Sequence, residues 1–322
     1  MSAFRAMTLG VILATAAVAS ASAQTAPSIA DSQWFTGPLI APSSAPSKAG
    51  VFEVEPYAIF TSNTGAYGAN GSHQSVPHDP RTAQSEYVLQ YSITDRLSIQ
   101  AVPSMADVWA NQTPSREVGV GDLPVELKYR FIDENTANGA PSVTGFLGIS
   151  FPTGAYDRLP AAGLALGSGA YSAHEGVLLQ SLFAVGGHAL RLRLYADAYE
   201  PLSSPSLAGV SAYGTLQGFH GHAAPGISAD GGLGIEYGLT QQWVLALDLV
   251  QNYSNASSVT GAIGSASFAT INSPSSSAFS LAPALEYNFN ANVGLIAGVQ
   301  FSVAGRNASS YVAPQIALSM TF

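Results

Sequence analysis

Through most of the chain after residue 50, apolar residues recur at every second position. The charges placed inside these runs share the parity of the small and polar residues. In 123–131, Leu123, Val125, Leu127, Tyr129 and Phe131 alternate with Pro124, Glu126, Lys128 and Arg130. In 190–199, Leu190, Leu192 and Leu194 alternate with Arg191, Arg193, Tyr195 and Asp197. In 243–253, Trp243, Leu245, Leu247 and Leu249 alternate with Ala246, Asp248 and Asn252. A period of two held over about ten residues belongs to an extended strand with one apolar and one polar face. The charges placed on polar faces are Glu53, Glu55, Glu86, Asp122, Glu126, Lys128, Arg130, Arg191, Arg193, Asp197, Asp230, Glu236, Asp248 and Glu286.

Composition decides which face is wet. Only 10% of the 322 residues are charged and 47% are hydrophobic, whereas an ordinary soluble domain is roughly 25% charged. With the apolar faces turned inward, the exterior would need charge that the chain lacks. Turned inside out, the pattern fits a transmembrane barrel, apolar outside and polar in its lumen. Lipid tolerates no open sheet edge, so such a sheet must close. No stretch after residue 23 reaches the roughly 20 apolar residues of a helical span. The 14 Phe and 14 Tyr exclude a disordered chain. The absence of cysteine excludes a disulfide scaffold and a thiolate metal site, and a net charge of −9 argues against a nucleic-acid partner.

An internal repeat sets the number of strands. Residues 88–99 (VLQYSITDRLSI), 234–245 (GIEYGLTQQWVL) and 284–295 (ALEYNFNANVGL) each run from a Tyr through a polar turn into a new alternation. Residues 126–133 (ELKYRFID) are a partial fourth copy. Such units are antiparallel hairpins. The expected fold is all-β: an up-and-down antiparallel transmembrane barrel of about 12 strands, at 50–60, 82–93, 96–106, 118–131, 142–152, 173–185, 189–199, 227–238, 242–254, 277–289, 293–304 and 310–322. Short turns are expected at one end and long Ser/Gly/Asn-rich links (61–81, 107–117, 153–172, 200–226, 255–276) at the other. Tyr91, Tyr129, Tyr237 and Tyr287 stand just before short turns, an aromatic girdle at the turn-side interface.

The termini read as export and assembly signals. Arg5, the apolar stretch 8–18 and Ala21-Ser22-Ala23 form a signal peptide over 1–23. Residues 24–49 are Pro/Ser/Ala-rich, either a flexible periplasmic leader or a plug for the lumen of the 50–322 barrel. The last strand ends on Phe322. A terminal Phe after an alternating strand resembles the assembly signal of bacterial outer-membrane proteins, which makes the barrel-assembly machinery an expected partner beside lipid. The expected location is the outer membrane of a Gram-negative cell.

Catalytic patterns are scarce. Of six histidines, His73, His78, His174, His220 and His222 fall in or beside long links and His188 in a short turn. His220-Gly221-His222 offers two ligands, too few for a metal site. No enzyme, metal or cofactor is expected. The interior set instead holds ten acids and four bases. Lys128, Arg130, Arg191 and Arg193 are expected to pair with Glu126, Asp197, Glu236 or Asp248, or to form one pole of a field that screens solutes.

Two segments carry a family resemblance: 118–131 (VGVGDLPVELKYRF) and 145–156 (GFLGISFPTGAY). Gly121-Asp122-Leu123, the triplet Lys128-Tyr129-Arg130, and Pro152-Thr153-Gly154 resemble the outer-membrane proteins of the MetA-pathway of phenol degradation family. The resemblance implies an outer-membrane transporter linked to aromatic-compound degradation. The expected function is passive uptake of small solutes, hydrophobic or aromatic ones included. The alternative is a structural or adhesive barrel that presents its long loops.

Overall fold

A computed structural model describes residues 32–44, 47–75, 80–109, 118–264 and 269–322. The expected signal peptide, His78 and most of the link 107–117 lie outside the described residues.

Twelve staves close into one antiparallel barrel. They are β1 (Phe52–Tyr67), β2 (Arg81–Ser92), β3 (Leu97–Ala101 and Ser104–Trp109), β4 (Gly119–Val120 and Leu123–Ile132), β5 (Ser142–Phe151) and β6 (Ser172–Val185). They continue as β7 (His188–Pro201), β8 (Ser228–Gly238), β9 (Trp243–Ser254), β10 (Ser276–Asn290), β11 (Val293–Arg306) and β12 (Ala308–Thr321). Each stave pairs with its neighbours in sequence. Closure is made by β1 on β12, in a register running from Glu53↔Thr321 to Tyr67↔Ala308. Gly186 and Gly187, at φ 60° and 83°, make the two-residue turn between β6 and β7, a conformation that glycine adopts at no steric cost.

The register explains why the alternation is legible. Leu127, Leu147, Leu194 and Leu245 are exposed, whereas Glu126, Lys128, Arg193, Glu236, Asp248 and Glu286 are buried. None of the fourteen charges assigned to the polar faces is exposed. Three acids take the outward parity: Asp107, opposite Ala83; Glu175, opposite Leu147; and Glu200, opposite Ala173. All three sit at the long-loop ends of their staves, above an apolar band.

The structure departs from the sequence expectation at the long-loop end. β1 runs on to Tyr67 where a link was expected from residue 61. β3 and β4 are each interrupted, at Val102-Pro103 and at Gly121-Asp122; Pro103 has no N–H to give to a ladder. The links 200–226 and 255–276 are not plain loops. Ser206–Ala208, Phe219–Ala224, Ser257–Ile263 and Ala269–Ser273 form a second, four-stranded sheet. Leu207, Phe219, Ala223 and Val259 make its core.

Candidate functional site: the barrel interior

The interior divides into two halves. In the short-turn half it is occupied by the chain's own residues 33–44. Gln33 anchors the segment at the β8–β9 turn, where its Nε2 donates to the carbonyls of Thr240 and Gln241 at 2.8 and 3.0 Å. Glu286 on β10 accepts the backbone N–H groups of Thr36 and Gly37 at 2.8 and 3.3 Å. Asp248 on β9 accepts those of Ile40 and Ala41 at 3.2 and 3.0 Å. Carboxylates receiving backbone N–H groups are among the stronger hydrogen-bonded pairs. The segment then turns back. Ser43 meets Gln180 at 3.3 Å, Ser44 meets Ser142 and Thr144, and Ala49 N donates to Asp95 at 2.9 Å, back at the short-turn end.

The wall is shaped for this guest. Leu39 packs on Ala246, Ala282, Ile296 and Ala317, small or slim side chains on the inner faces of β9 to β12. A Cβ at Gly234 would lie 2.8 Å from Ala41 Cβ and 2.9 Å from Pro38 Cγ. At Gly37 φ is +122°, and a Cβ there would press on the Arg193 guanidinium at 3.2 Å. Both positions therefore require glycine.

The basic residues separate accordingly. Arg193 pairs with Glu236 at 2.8 Å and donates to the carbonyl of Ala41 at 3.3 Å. Arg191 stacks its guanidinium 4.0 Å over the Phe35 ring, a cation–π contact within the segment's footprint. Arg130 sits at the turn, with Asp133 at 2.9 Å. Glu134, in the link 133–141, has its carboxyl pushed up by burial, against the opposing pull of the Arg191 charge. The expected partner of Asp248 was a basic side chain; the structure gives it backbone amides.

Over β1 to β6, and toward the long-loop ends of β7 and β8, the charges satisfy one another through side chains, within staves and across them. Lys128 lies 3.2 Å from Glu126, and Gln100 bridges them, accepting from Lys128 and donating to Glu126, both at 2.7 Å. His174 Nδ1 lies 3.0 Å from Glu126, and Nε2 lies 3.6 Å from Asp197. The His174 ring stacks on Tyr199 at 3.9 Å and 7°. Asp230, directly opposite Asp197, accepts from Asn252. On the far wall, Glu53 accepts from Gln90 at 2.7 Å and Glu86 from Gln84 at 3.1 Å. His174 was expected at the edge of a long link; it is the third residue of β6, pointing inward. His188 opens β7 and its Nδ1 lies 2.8 Å from the Gly238 carbonyl.

Asp122 lines the interior, but its oxygens are taken by the loop between β5 and β6: Gly154 N at 3.0 Å, Ser168 N at 2.8 Å and Ser168 Oγ at 2.9 Å. Cavities remain among the described residues. One of about 620 Å3 runs beside the segment, lined by Glu53, Glu55, Lys128 and Arg191 among others. One of about 490 Å3 lies above it, lined by Val102, Pro124, Glu126, His174, Tyr199 and Pro225 among others. Glu86, Val88 and Gln100 line both.

On the outside, Tyr91 and Tyr129 are exposed, and Tyr237 and Tyr287 half-exposed. Tyr129 packs on Phe131 at 5.0 Å, and Trp243 and Phe289 flank Tyr287 at 4.7 and 5.0 Å. Phe322 is exposed, with its backbone paired to Phe52.

Comparison with known proteins agrees with this architecture. The family model described as "Putative MetA-pathway of phenol degradation" matches residues 60–313. Among solved structures, the COG4313 outer membrane channel from Pseudomonas putida F1 superposes with a TM-score of 0.62. It is 17% identical, over 87% of this chain and 98% of that one. The transport unit of the autotransporter AIDA-I from Escherichia coli aligns at a TM-score of 0.45 and 11% identity, over 88% and 94% of the two chains. No curated protein matches the chain in sequence.

Proposed function

The chain belongs to the MetA-pathway of phenol degradation family, and from that premise we propose that it is an outer-membrane channel for the passive uptake of small solutes. The observation that carries the reading is the pair of cavities with a shared wall. A barrel meant only to stand in the membrane has no need of a path past its own filling. Here cavities of 620 Å3 and 490 Å3 share Glu86, Val88 and Gln100 in their walls, and the first runs beside residues 33–44. In this reading the segment 33–44 is a plug that narrows the lumen, and the charges around it screen what passes.

The finer proposal concerns the solute. Val88, Val102, Pro124, Tyr199, Pro201 and Pro225 line the upper cavity beside Glu86, Glu126 and His174, a mixed surface suited to small aromatic solutes that carry a polar group. The cavity volume falls in the range of small-molecule sites. No energy-coupling step is invoked: the solute moves down its gradient. Phe322 acts in assembly, so its deletion lowers the amount of barrel in the membrane but not its synthesis. Unchanged membrane levels in the deletion variant would refute that role.

A second reading has its own observation. The small sheet of Ser206–Ala208, Phe219–Ala224, Ser257–Ile263 and Ala269–Ser273 gives the long loops a fixed shape, as a presented surface would need. Planar-bilayer recording separates the two. Discrete conductance steps from the purified barrel support the channel. Their absence, in barrel shown to be folded by its heat-dependent gel mobility, supports the presenting role.

A further inference from the structure

The tripeptides Gly121-Asp122-Leu123 and Pro152-Thr153-Gly154 carry the family resemblance, and the structure brings them together at the long-loop end. We propose that Asp122 is a latch that holds the loop 152–171 folded into the barrel and so sets the width of the long-loop mouth. The proposal rests on the channel reading above and names the residue that positions its upper gate.

One carboxylate pins both ends of the loop. Asp122 Oδ1 accepts from Gly154 N at 3.0 Å, and Oδ2 accepts from Ser168 N and Oγ at 2.8 and 2.9 Å. Thr153 Oγ1 donates to the Gly121 carbonyl at 2.6 Å. The two ends also meet each other, with Leu166 N and Gly167 N donating to the Ala155 carbonyl at 2.9 and 3.2 Å. The glycines are part of the device. A Cβ at Gly154 would lie 2.5 Å from the Leu166 carbonyl oxygen, and one at Gly167 would lie 2.3 Å from Asp122 Oδ1. The break in β4 after Val120 turns Asp122 out of its ladder and toward the loop.

Between its pinned ends the loop reaches inside the wall. Its turn Ala162–Leu164 lies against the upper segment of β3. Leu164 is fully buried, and the inward Ala106 and Val108 are buried. A cavity of about 320 Å3 remains between Gly163, Ala165 and Leu166 of the loop and Thr82, Gln84 and Ala106 of the wall. Ser168 and Ala170 of the same loop line the 490 Å3 cavity. The next loop rests on this one: Tyr213 donates to the Ser168 carbonyl at 2.7 Å. Burial pushes that phenol up to about 12, so it remains a donor. Release of Asp122 removes three bonds at the two ends of the loop at once, leaving Thr153 on Gly121 and Tyr213 on Ser168, and loosens a wall of each cavity.

The test uses the absence of cysteine in the chain. Ala106→Cys places a single thiol beneath the loop, and Asn70→Cys places one on an exposed turn elsewhere at the same end. The rate of modification by a membrane-impermeant maleimide is measured on purified, folded barrel, alone and combined with Asp122→Ala. Loss of charge-assisted bonds is expected to raise the rate at Ala106→Cys about tenfold or more, with Asn70→Cys unchanged. Ser168→Ala and Thr153→Val should raise it less, and Asp122→Ala should raise mean conductance. An unchanged rate at Ala106→Cys, or an equal rise at both thiols, overturns the latch. If Asp122→Ala does not fold, Thr153→Val and Ser168→Ala decide: a rise at Ala106→Cys supports the latch and no rise overturns it. If the wild-type barrel does not conduct, the channel reading fails, while the labelling ratio still judges the latch.

Discussion

Two halves of the barrel wall solve the same problem differently. Both hold buried carboxylates, and a buried charge without partners is costly. In the half made by β1 to β6, Glu126 is met by Lys128 of its own stave and by Gln100 and His174 of nearby ones. In the half made by β7 to β12, Asp248 and Glu286 are met by backbone N–H groups of residues 36–41, which belong to no stave. The first half of the wall meets its carboxylate with its own side chains; the second relies on its guest. Residues 33–44 thus have a reason to stay inside, whatever they do to permeation. A hydrated lumen could solvate Asp248 and Glu286 with water instead, and Arg193 would then keep Glu236 but lose Ala41.

The sharpest way to break this contrast is to remove one base from each half. Arg193→Leu leaves Glu236 without its ion partner and removes the donor to Ala41, and should cost about 3–5 kcal/mol of folding stability. Lys128→Leu should cost less, about 1–2 kcal/mol, because Glu126 keeps Gln100 and His174. Denaturant-dependent folding into micelles or thin bilayers measures both, and equal costs would show that the two halves do not differ. Between these effects lies a change on the outer face. Leu194 is 52% exposed at the middle of β7, so Leu194→Arg should cost about 2–4 kcal/mol near the bilayer midplane and less if the stave sits off-centre. A tolerated Leu194→Arg would mean that β7 does not face lipid, and the assignment of Arg193 to the interior would fall with it.

The contrast also marks how far the sequence could be read. The staves and their faces were legible because each one encodes inside and outside locally, through a period that a one-residue slip would invert. Leu192 and Arg193 carry that information between them. The partners of Asp248 were not legible. They are main-chain groups more than two hundred residues away, and a backbone N–H leaves no mark in composition. The Ala and Gly residues on the inner faces of β8 to β12 were the available signal: Gly234, Ala246, Ala282 and Ala317 make room that a water-filled lumen would not need. His174 was missed because only two residues of β6 precede it, too few to show a parity. The small second sheet was missed because its strands are short and their alternation is carried largely by small residues, as in Phe219–Ala224, where Phe219, Gly221 and Ala223 alternate with His220 and His222. Asp122 was read as one more interior charge, since nothing in its own strand shows that Gly154 and Ser168 come to it.

The smallest effect is the most discriminating, because it asks whether the guest and the wall are one unit. In the full chain, Asp248→Asn keeps an acceptor but loses the charge that draws the N–H groups of Ile40 and Ala41. In a chain lacking residues 33–44 those donors are gone and Asp248 faces solvent, so the same substitution should be neutral or stabilising. The difference between the two costs is a coupling energy, expected at about 1 kcal/mol or more for groups in direct contact. Glu126→Gln should cost the same with and without the segment, since Glu126 takes nothing from it. Conductance supplies an independent readout on the same four proteins. Removal of 33–44 should enlarge the unit step, and Asp248→Asn should enlarge it only where the segment is present, by loosening it. A coupling of zero at Asp248, or an equal one at Glu126, would mean that the segment is held by shape alone, through Leu39 and the glycine-lined wall, and that the carboxylates are incidental to it.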